Sequence, residues 1–227
     1  MAQKKKLASK KIYLVRHGET EYNRTGVVQG SGVNSELNEN GYKQSQLFFD
    51  AYQDFPFEKV YTSSLRRTIQ SVKNFIDKGI PHQILPGLNE ISWGKSEGVP
   101  FSPETNKLYF GIIRSWKEGN INNKLEGGES PVEVKTRQEA AIRQILENGE
   151  KNVLVCMHGR AMKILLAWIT GHSVSKMDNF EHENLSLYVL NYNGQGFEIE
   201  KRNDIAHLNG FKSTIVPTDE MNAKFRR

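Results

Sequence analysis

The sequence predicts an α/β protein built on a mostly parallel sheet with helices on both faces. Three observations carry that expectation. Six short runs rich in β-branched residues recur along the 227-residue chain, at 11–16, 58–62, 82–85, 152–157, 185–191 and 197–201. Helical stretches lie between most of them, near 39–53, 64–77, 103–118, 130–148 and 159–170. Between the last two runs, Asn193-Gly194-Gln195-Gly196 reads as a hairpin turn, so one late strand pair is expected to be antiparallel.

Each element has its own local reason. The first strand is an apolar run over 12–15 that passes without a turn signal into Arg16-His17-Gly18. The clearest helix start is Ser130-Pro131-Val132-Glu133: serine caps, proline suits the first helical position, and glutamate completes a capping box. Val134, Ala141, Ile142, Ile145 and Leu146 then share a face, and Gly149 ends that helix. The helix over 159–170 stops in the same way at Gly171. A hydrophobic content of 37% with 25% charged residues suits one ordinary globule, expected over 12–210, and no repeat or linker divides it.

The formal net charge of +5 suggests nucleic acid until its location is noted. Residues 1–11 hold Lys4, Lys5, Lys6, Lys10 and Lys11 without an acid, and 211–227 hold Lys212, Lys224, Arg226 and Arg227 against Asp219 and Glu220. The stretch between is net acidic. The basic charge is therefore read as two solvated tails, 1–11 and 211–227, with no nucleic-acid or membrane partner. A single cysteine, Cys156, sits in an apolar run, which excludes an internal disulfide framework and points to a buried thiol in a reducing compartment. The longest hydrophobic segment, 164–170, is too short to span a bilayer, and a cytoplasmic location is expected. Oligomeric state leaves no trace in the sequence.

Sites on parallel sheets lie beyond the carboxyl ends of the strands. That rule gathers Arg16 and His17 after the first strand, Ser63 to Arg67 after the second, Glu90 beyond the third, and His158-Gly159 after the fourth. One such residue is most often incidental; their joint placement is the signal. Two arginines and two histidines facing one cavity repel each other unless an anion joins them, and guanidinium forks match phosphate oxygens in pairs. Histidine attacks phosphorus near neutral pH, and a nearby carboxyl group serves as proton donor and acceptor. Glycine after each histidine lets backbone approach a small ligand. Two other motifs are rejected. Gly94-Lys95-Ser96 lacks the first glycine and the context of a P-loop, and His182-Glu183-Asn184-Leu185-Ser186 lacks the second histidine of a zinc protease helix.

"LVRHGETEYN" resembles the signature of the histidine phosphatase superfamily, with its phosphoglycerate mutase-like fold. Gln29-Gly30, Leu37-Asn38-Glu39-Asn40-Gly41 with Gln44, "SSLRRTIQS" at 63–71, "LNEISWGKSEG" at 88–98, "GGES" at 127–130 and "VLVCMHGRAMK" at 153–163 resemble its later blocks in order. The resemblance implies a three-layer α/β/α sandwich whose mostly parallel sheet has one antiparallel strand. It also implies that His17 becomes phosphorylated while Arg16, Arg67 and His158 clamp the phosphoryl oxygens, and that Glu90 is the proton donor. Asn23, Gln29, Gly30 and Gly159 are implied as substrate-binding, with no metal or organic cofactor. Ser96 stands where the family usually has tryptophan, Thr68 where it has alanine, Glu36 where it has proline, and Arg160 where it has a second glycine or small residue. None of these removes a chemical group from the core.

Hydrolysis of a small phosphate ester is the favoured reaction. Cofactor-dependent mutases of the family carry Glu-Arg-x-Tyr-Gly at the acid and a long insert afterwards. Here Glu90-Ile91-Ser92-Trp93-Gly94 lacks that arginine, and the span to Gly128 is short. The alternatives are phosphoglycerate mutase-type transfer, which alone would need a bisphosphoglycerate primer, and a phosphoryl-binding signalling module. Lys107, Arg114 and Lys117 on the helix over 103–118 are read as a solvated face rather than as ligands for a second acidic group.

Overall fold

The first apolar run forms β1 (Lys10–Arg16) in a computed structural model that describes residues 8–100 and 102–211. It is followed by α1 (Glu21–Thr25), α2 (Glu39–Tyr52), β2 (Lys59–Thr62), α3 (Arg66–Ser71), α4 (Lys73–Asp77) and β3 (His82–Ile84). The second half adds α5 (Pro103–Lys117), α6 (Pro131–Glu147), β4 (Asn152–Met157), α7 (Gly159–Ile169), β5 (Leu187–Tyr192) and β6 (Phe197–Asp204). All six predicted strands and all five predicted helical stretches are present. The structure adds α1 and splits the stretch over 64–77 in two. The break has a local cause. The Ser45 hydroxyl donates to Ser71 O at 2.8 Å and takes the place of the next helical amide, while Phe75 N bonds Val72 O instead.

The strands form one sheet in the order β3-β2-β4-β1-β5-β6. β1, β2, β3 and β4 run parallel, and β5 is antiparallel to both β1 and β6. Period-two alternation divides the core. Ile12 and Leu14 face one side with residues of α6 and α7 such as Val134, Ile145, Ile164 and Leu165. Tyr13 and Val15 face the other side with Phe48 of α2 and Phe75 of α4. Helices on both faces of this sheet give the three-layer sandwich. The free thiol of Cys156 is buried in it, and burial pushes its pKa up.

The boundary expected for the amino-terminal tail moves. Lys10 and Lys11 belong to β1, and Lys10 is buried. Its Nζ donates to Ile145 O at 2.5 Å and Asn148 O at 3.0 Å, and lies 3.5 Å from Glu150. An ammonium buried against the carboxyl end of α6 is a capping device, because it answers carbonyls that have no helical partner. Residues 1–7 and 212–227 of the expected tails lie outside the described residues. Among the described residues, no helix is long and apolar enough to cross a membrane.

Candidate active site

Register brings the sequence motifs together. Arg16 pairs with Met157 across β1 and β4, and Thr62 pairs with Cys156 across β2 and β4. The next residues, His17, Ser63 and His158, therefore leave three adjacent strands at one edge. Gly18 is required there by crowding: a Cβ would lie 2.8 Å from Gly41 O and 3.0 Å from a Leu185 methyl. The glycine lets the chain turn directly after the histidine against α2.

The hydrogen bonds assign the tautomers of both histidines. His17 Nδ1 lies 2.7 Å from Gly18 O, which only accepts, so Nδ1 carries the proton and Nε2 keeps its lone pair. Arg67 Nε donates to His158 Nδ1 at 3.1 Å, so His158 Nε2 carries the proton and donates to Ser63 Oγ at 2.8 Å. The two rings lie 5.2 Å apart between centroids. Burial, then Arg67, holds both histidines well below their ordinary pKa and neutral. Burial also brings the Arg67 guanidinium down to about 10, so it stays charged at neutral pH. Its fork fixes the neighbouring loop by donating to Val33 O at 2.6 Å and Gly30 O at 3.2 Å. Three of its five N–H groups are thus committed within the protein.

Glu90 reaches the same edge by packing on the amino end of α7. Oε1 accepts from Ile91 N at 2.9 Å and Ala161 N at 2.7 Å, while Oε2 accepts only the longer 3.1 Å bond from Arg160 N. Its charge is felt by both Arg16 and Arg67. The five residues singled out for chemistry therefore converge. Among the described residues, the buried Nε of Arg16 finds no hydrogen-bond partner. A charged donor left unpaired at such an edge calls for an anion.

The four residues expected to bind substrate are placed less uniformly. Gly159 opens α7 beside Arg16, and a Cβ there would lie 3.0 Å from the His182 ring and 3.5 Å from Arg16 Nε. Gly30 O holds Arg67, and a Cβ at that position would lie 2.2 Å from Glu97 Oε1. Gln29 has both ends of its amide engaged within the protein, by Thr20 Oγ1 at 2.8 Å and Ser35 Oγ at 2.7 Å. Asn23 completes the capping box of α1 with Thr20, and its Oδ1 accepts from Asn184 Nδ2 at 3.2 Å. Gln29 and Asn23 thus brace the loops around His17.

Sequence reasoning missed four residues. Asn184 donates to His17 O at 2.9 Å, and His182 Nδ1 lies 3.4 Å from Arg16 Nη1. Both precede β5, whose antiparallel direction delivers its amino end to the edge where the parallel strands finish. A search confined to strand carboxyl ends passes over them. Arg137 donates to Gly87 O, Asn89 O and Glu90 O, and Glu129 orients it at 2.8 Å, so it positions the segment that carries Glu90. Glu97 ties Gly32 N to Trp93 N at 2.8 Å each and joins two loops at the rim. A separate shallow cleft lined by Gln53, Phe57, Lys78 and Pro81 lies toward the amino ends of β2 and β3, away from this chemistry.

A mostly parallel three-layer sheet with paired histidines and arginines at its carboxyl edge defines a phosphoryl-handling enzyme class. The profile of the histidine phosphatase superfamily (branch 1) matches residues 12–205, and the chain belongs to that family. It is 31% identical over 209 residues to a probable phosphoglycerate mutase GpmB of Yersinia pestis, covering 87% of this chain and 94% of that protein. It is 24% identical over 199 residues to a putative phosphoserine phosphatase 2 of Hydrogenobacter thermophilus, covering 87% and 97%. Among solved structures, a putative alpha-ribazole-5'-P phosphatase from Escherichia coli superposes with a TM-score of 0.75 at 23% identity, covering 86% of this chain and 96% of that one. A mycobacterial glucosyl-3-phosphoglycerate phosphatase gives 0.76 at 21% identity, covering 86% and 98%. These structures share the fold.

Proposed function

We propose that the protein is a phosphomonoesterase that hydrolyses small phosphate esters through a phosphohistidine at His17. The observation that carries this reading is the tautomer of His17: the Nδ1–H···O=C bond to Gly18 leaves an Nε2 lone pair among Arg16, Arg67 and His158. In the first step Nε2 attacks phosphorus, the P–O ester bond breaks toward the leaving oxygen, and Glu90 gives that oxygen a proton. Oε2 is the oxygen suited to exchange it, since only one long hydrogen bond holds it. In the second step water attacks phosphorus, Glu90 takes back a proton, and the N–P electron pair returns to Nε2 as phosphate leaves. The arginine donors stabilise the charge spread over the phosphoryl oxygens in both steps.

The relative named as a probable mutase favours a second reading, in which the phosphoryl group passes to a phosphoglycerate instead of water. One experiment separates the two. The protein is given a panel of phosphomonoesters with and without a bisphosphoglycerate primer. Phosphate release without primer is expected; isomerisation that depends on the primer, with little phosphate released, would replace hydrolysis by transfer. His17→Ala is expected to abolish turnover and the acid-labile phosphoenzyme, and radiolabel trapped on it at the wild-type level would remove His17 as nucleophile.

A further inference from the structure

Three cations converge on one carboxylate beside the phosphoryl site. Arg160 Nη1 lies 2.7 Å from Asp178 Oδ1, Lys163 Nζ lies 3.2 Å from the same oxygen, and Lys117 Nζ lies 3.6 Å from Oδ2. These are not all free surface charges: the Arg160 and Lys163 side chains keep only 11% and 19% of their exposure. Burial works against the charge on Asp178, yet Arg160 and Lys163 outweigh it and hold the carboxyl at about 2. Burial, then Arg160, lowers the pKa of Lys163. One acid with three cations leaves local positive charge unanswered; of the three, Arg160 and Lys163 are the sheltered ones, while Lys117 is exposed like Lys107 and Arg114 on its helix.

The cluster is joined to the catalytic edge. Arg160 follows Gly159 at the start of α7, and Lys163 is one turn further on the same face. Gly159 leaves room for the His182 ring, which approaches Arg16 through Nδ1 and whose charge environment includes Arg16, Lys163 and Arg160. Since Nδ1 faces an arginine donor, His182 Nε2 carries the proton, on the ring edge that lies against the Gly159 backbone. From α5, the buried Trp116 ring lies 5.9 Å from the Arg160 guanidinium carbon, and the Tyr109 side chain is hydrogen-bonded to Arg160 and acts electrostatically on Arg16.

We infer that Arg160 and Lys163, with Lys117 at the rim and His182 linking them to Arg16, form a second anion subsite, so that the preferred substrates are phosphomonoesters carrying a further carboxylate or phosphate. Asp178 holds the cations in place while the subsite is empty and gives them up in part to the ligand. This rests on the phosphomonoesterase reading and extends it to substrate class. It also gives a role to the arginine at position 160.

The test compares three esters of one carbon length: glycerol 1-phosphate, 3-phosphoglycerate and 1,3-propanediol bisphosphate. The second anion is expected to raise kcat/KM about tenfold or more over glycerol 1-phosphate, mainly through KM. Arg160→Ser should bring that ratio toward one, Arg160→Lys should restore part of it, and Asp178→Asn should increase it. The carboxylate and bisphosphate arms show which anion the subsite takes. A wild-type ratio near one, or a ratio untouched by Arg160→Ser in a folded protein, overturns the inference. If Arg160→Ser does not fold, the decision passes to Asp178→Asn, where an unchanged ratio counts against the subsite. Calorimetric Kd values for the same esters on His17→Ala supply the comparison without turnover. Loss of preference there defeats the subsite, whereas absence of any phosphate release by wild type from p-nitrophenyl phosphate defeats the hydrolytic reading alone.

Discussion

Arg66 and Arg67 are neighbours in the chain with opposite environments. Arg66 is exposed and pairs with Glu36 at 3.0 Å, a contact worth little in water. Arg67 is buried, and it holds His158, Val33 and Gly30 at once. Replacing Arg67 by alanine should cost about 3 kcal/mol in kcat/KM, as loss of a charged donor to a transition state does, and should also leave buried carbonyls unpaired. Arg66→Ala should change kcat/KM less than about threefold; the reverse order in steady-state assays would reassign the phosphoryl clamp. Glu90 offers a second test at this scale. Glu90→Gln should slow alkyl phosphates far more than aryl phosphates, because a good leaving group needs little protonation. Equal losses across a leaving-group series would take the acid role away from it.

Elements deliver these side chains, and capping decides how firmly. α6 begins with a capping box in which Ser130 Oγ accepts from Glu133 N and Glu133 returns a carboxylate to Ser130 N at 2.8 Å. This helix also carries Arg137, which fixes the backbone of Glu90. Ser130→Ala should lower unfolding free energy by about 1 kcal/mol in denaturant titration. A loss within error would mean that water replaces the cap. Two residues before β5, Leu185 adopts a left-handed conformation with φ of 55° while fully buried. That conformation is costly for a leucine, by about 1–3 kcal/mol. It lies directly after Asn184, the side chain that bonds His17 O, so the strain sits where the antiparallel strand hands its residues to the site.

Across the whole molecule, the cationic edge ties stability to pH. His17, His158 and His182 are held well below the ordinary value of 6.5, in each case first by burial and then by neighbouring arginines. In the unfolded chain they titrate near 6.5, so below that pH the unfolded state binds protons that the folded state refuses. Stability should therefore be constant with respect to these groups above about pH 7 and fall as the pH drops from 6.5 toward 5, by up to about 1.4 kcal/mol per histidine for each pH unit. Thermal unfolding from pH 7.5 to 5 checks this, and a midpoint that rises over that interval would contradict neutral buried histidines. An anion that binds only the folded state should oppose the fall.

The fold was legible because hydrophobic periodicity is local. Six strand patterns and their intervening helices appear in the residues themselves, and the hairpin at Asn193–Gly196 disclosed the antiparallel turn of the sheet. Arg16, His17, Arg67, Glu90 and His158 were legible too, because they follow strands or precede helices in recognisable motifs. Lys10 was misplaced in a tail, since nothing local reveals that the end of α6 offers it carbonyls. Gln29 and Asn23 carry amides that suit a ligand and the protein equally well, and only packing shows that they also hold Thr20, Ser35 and Asn184. By itself, then, the sequence determined the sheet, its helical layers and which five charged or titratable residues meet at one edge of it. The tertiary structure alone decided that β5 runs backwards into the edge where Arg16, His17 and His158 converge, bringing His182 and Asn184, and that Arg160, Lys163 and Lys117 meet over Asp178. The physical reason is that charge convergence depends on distance in space, and residues from separate elements acquire that distance only when the layers pack.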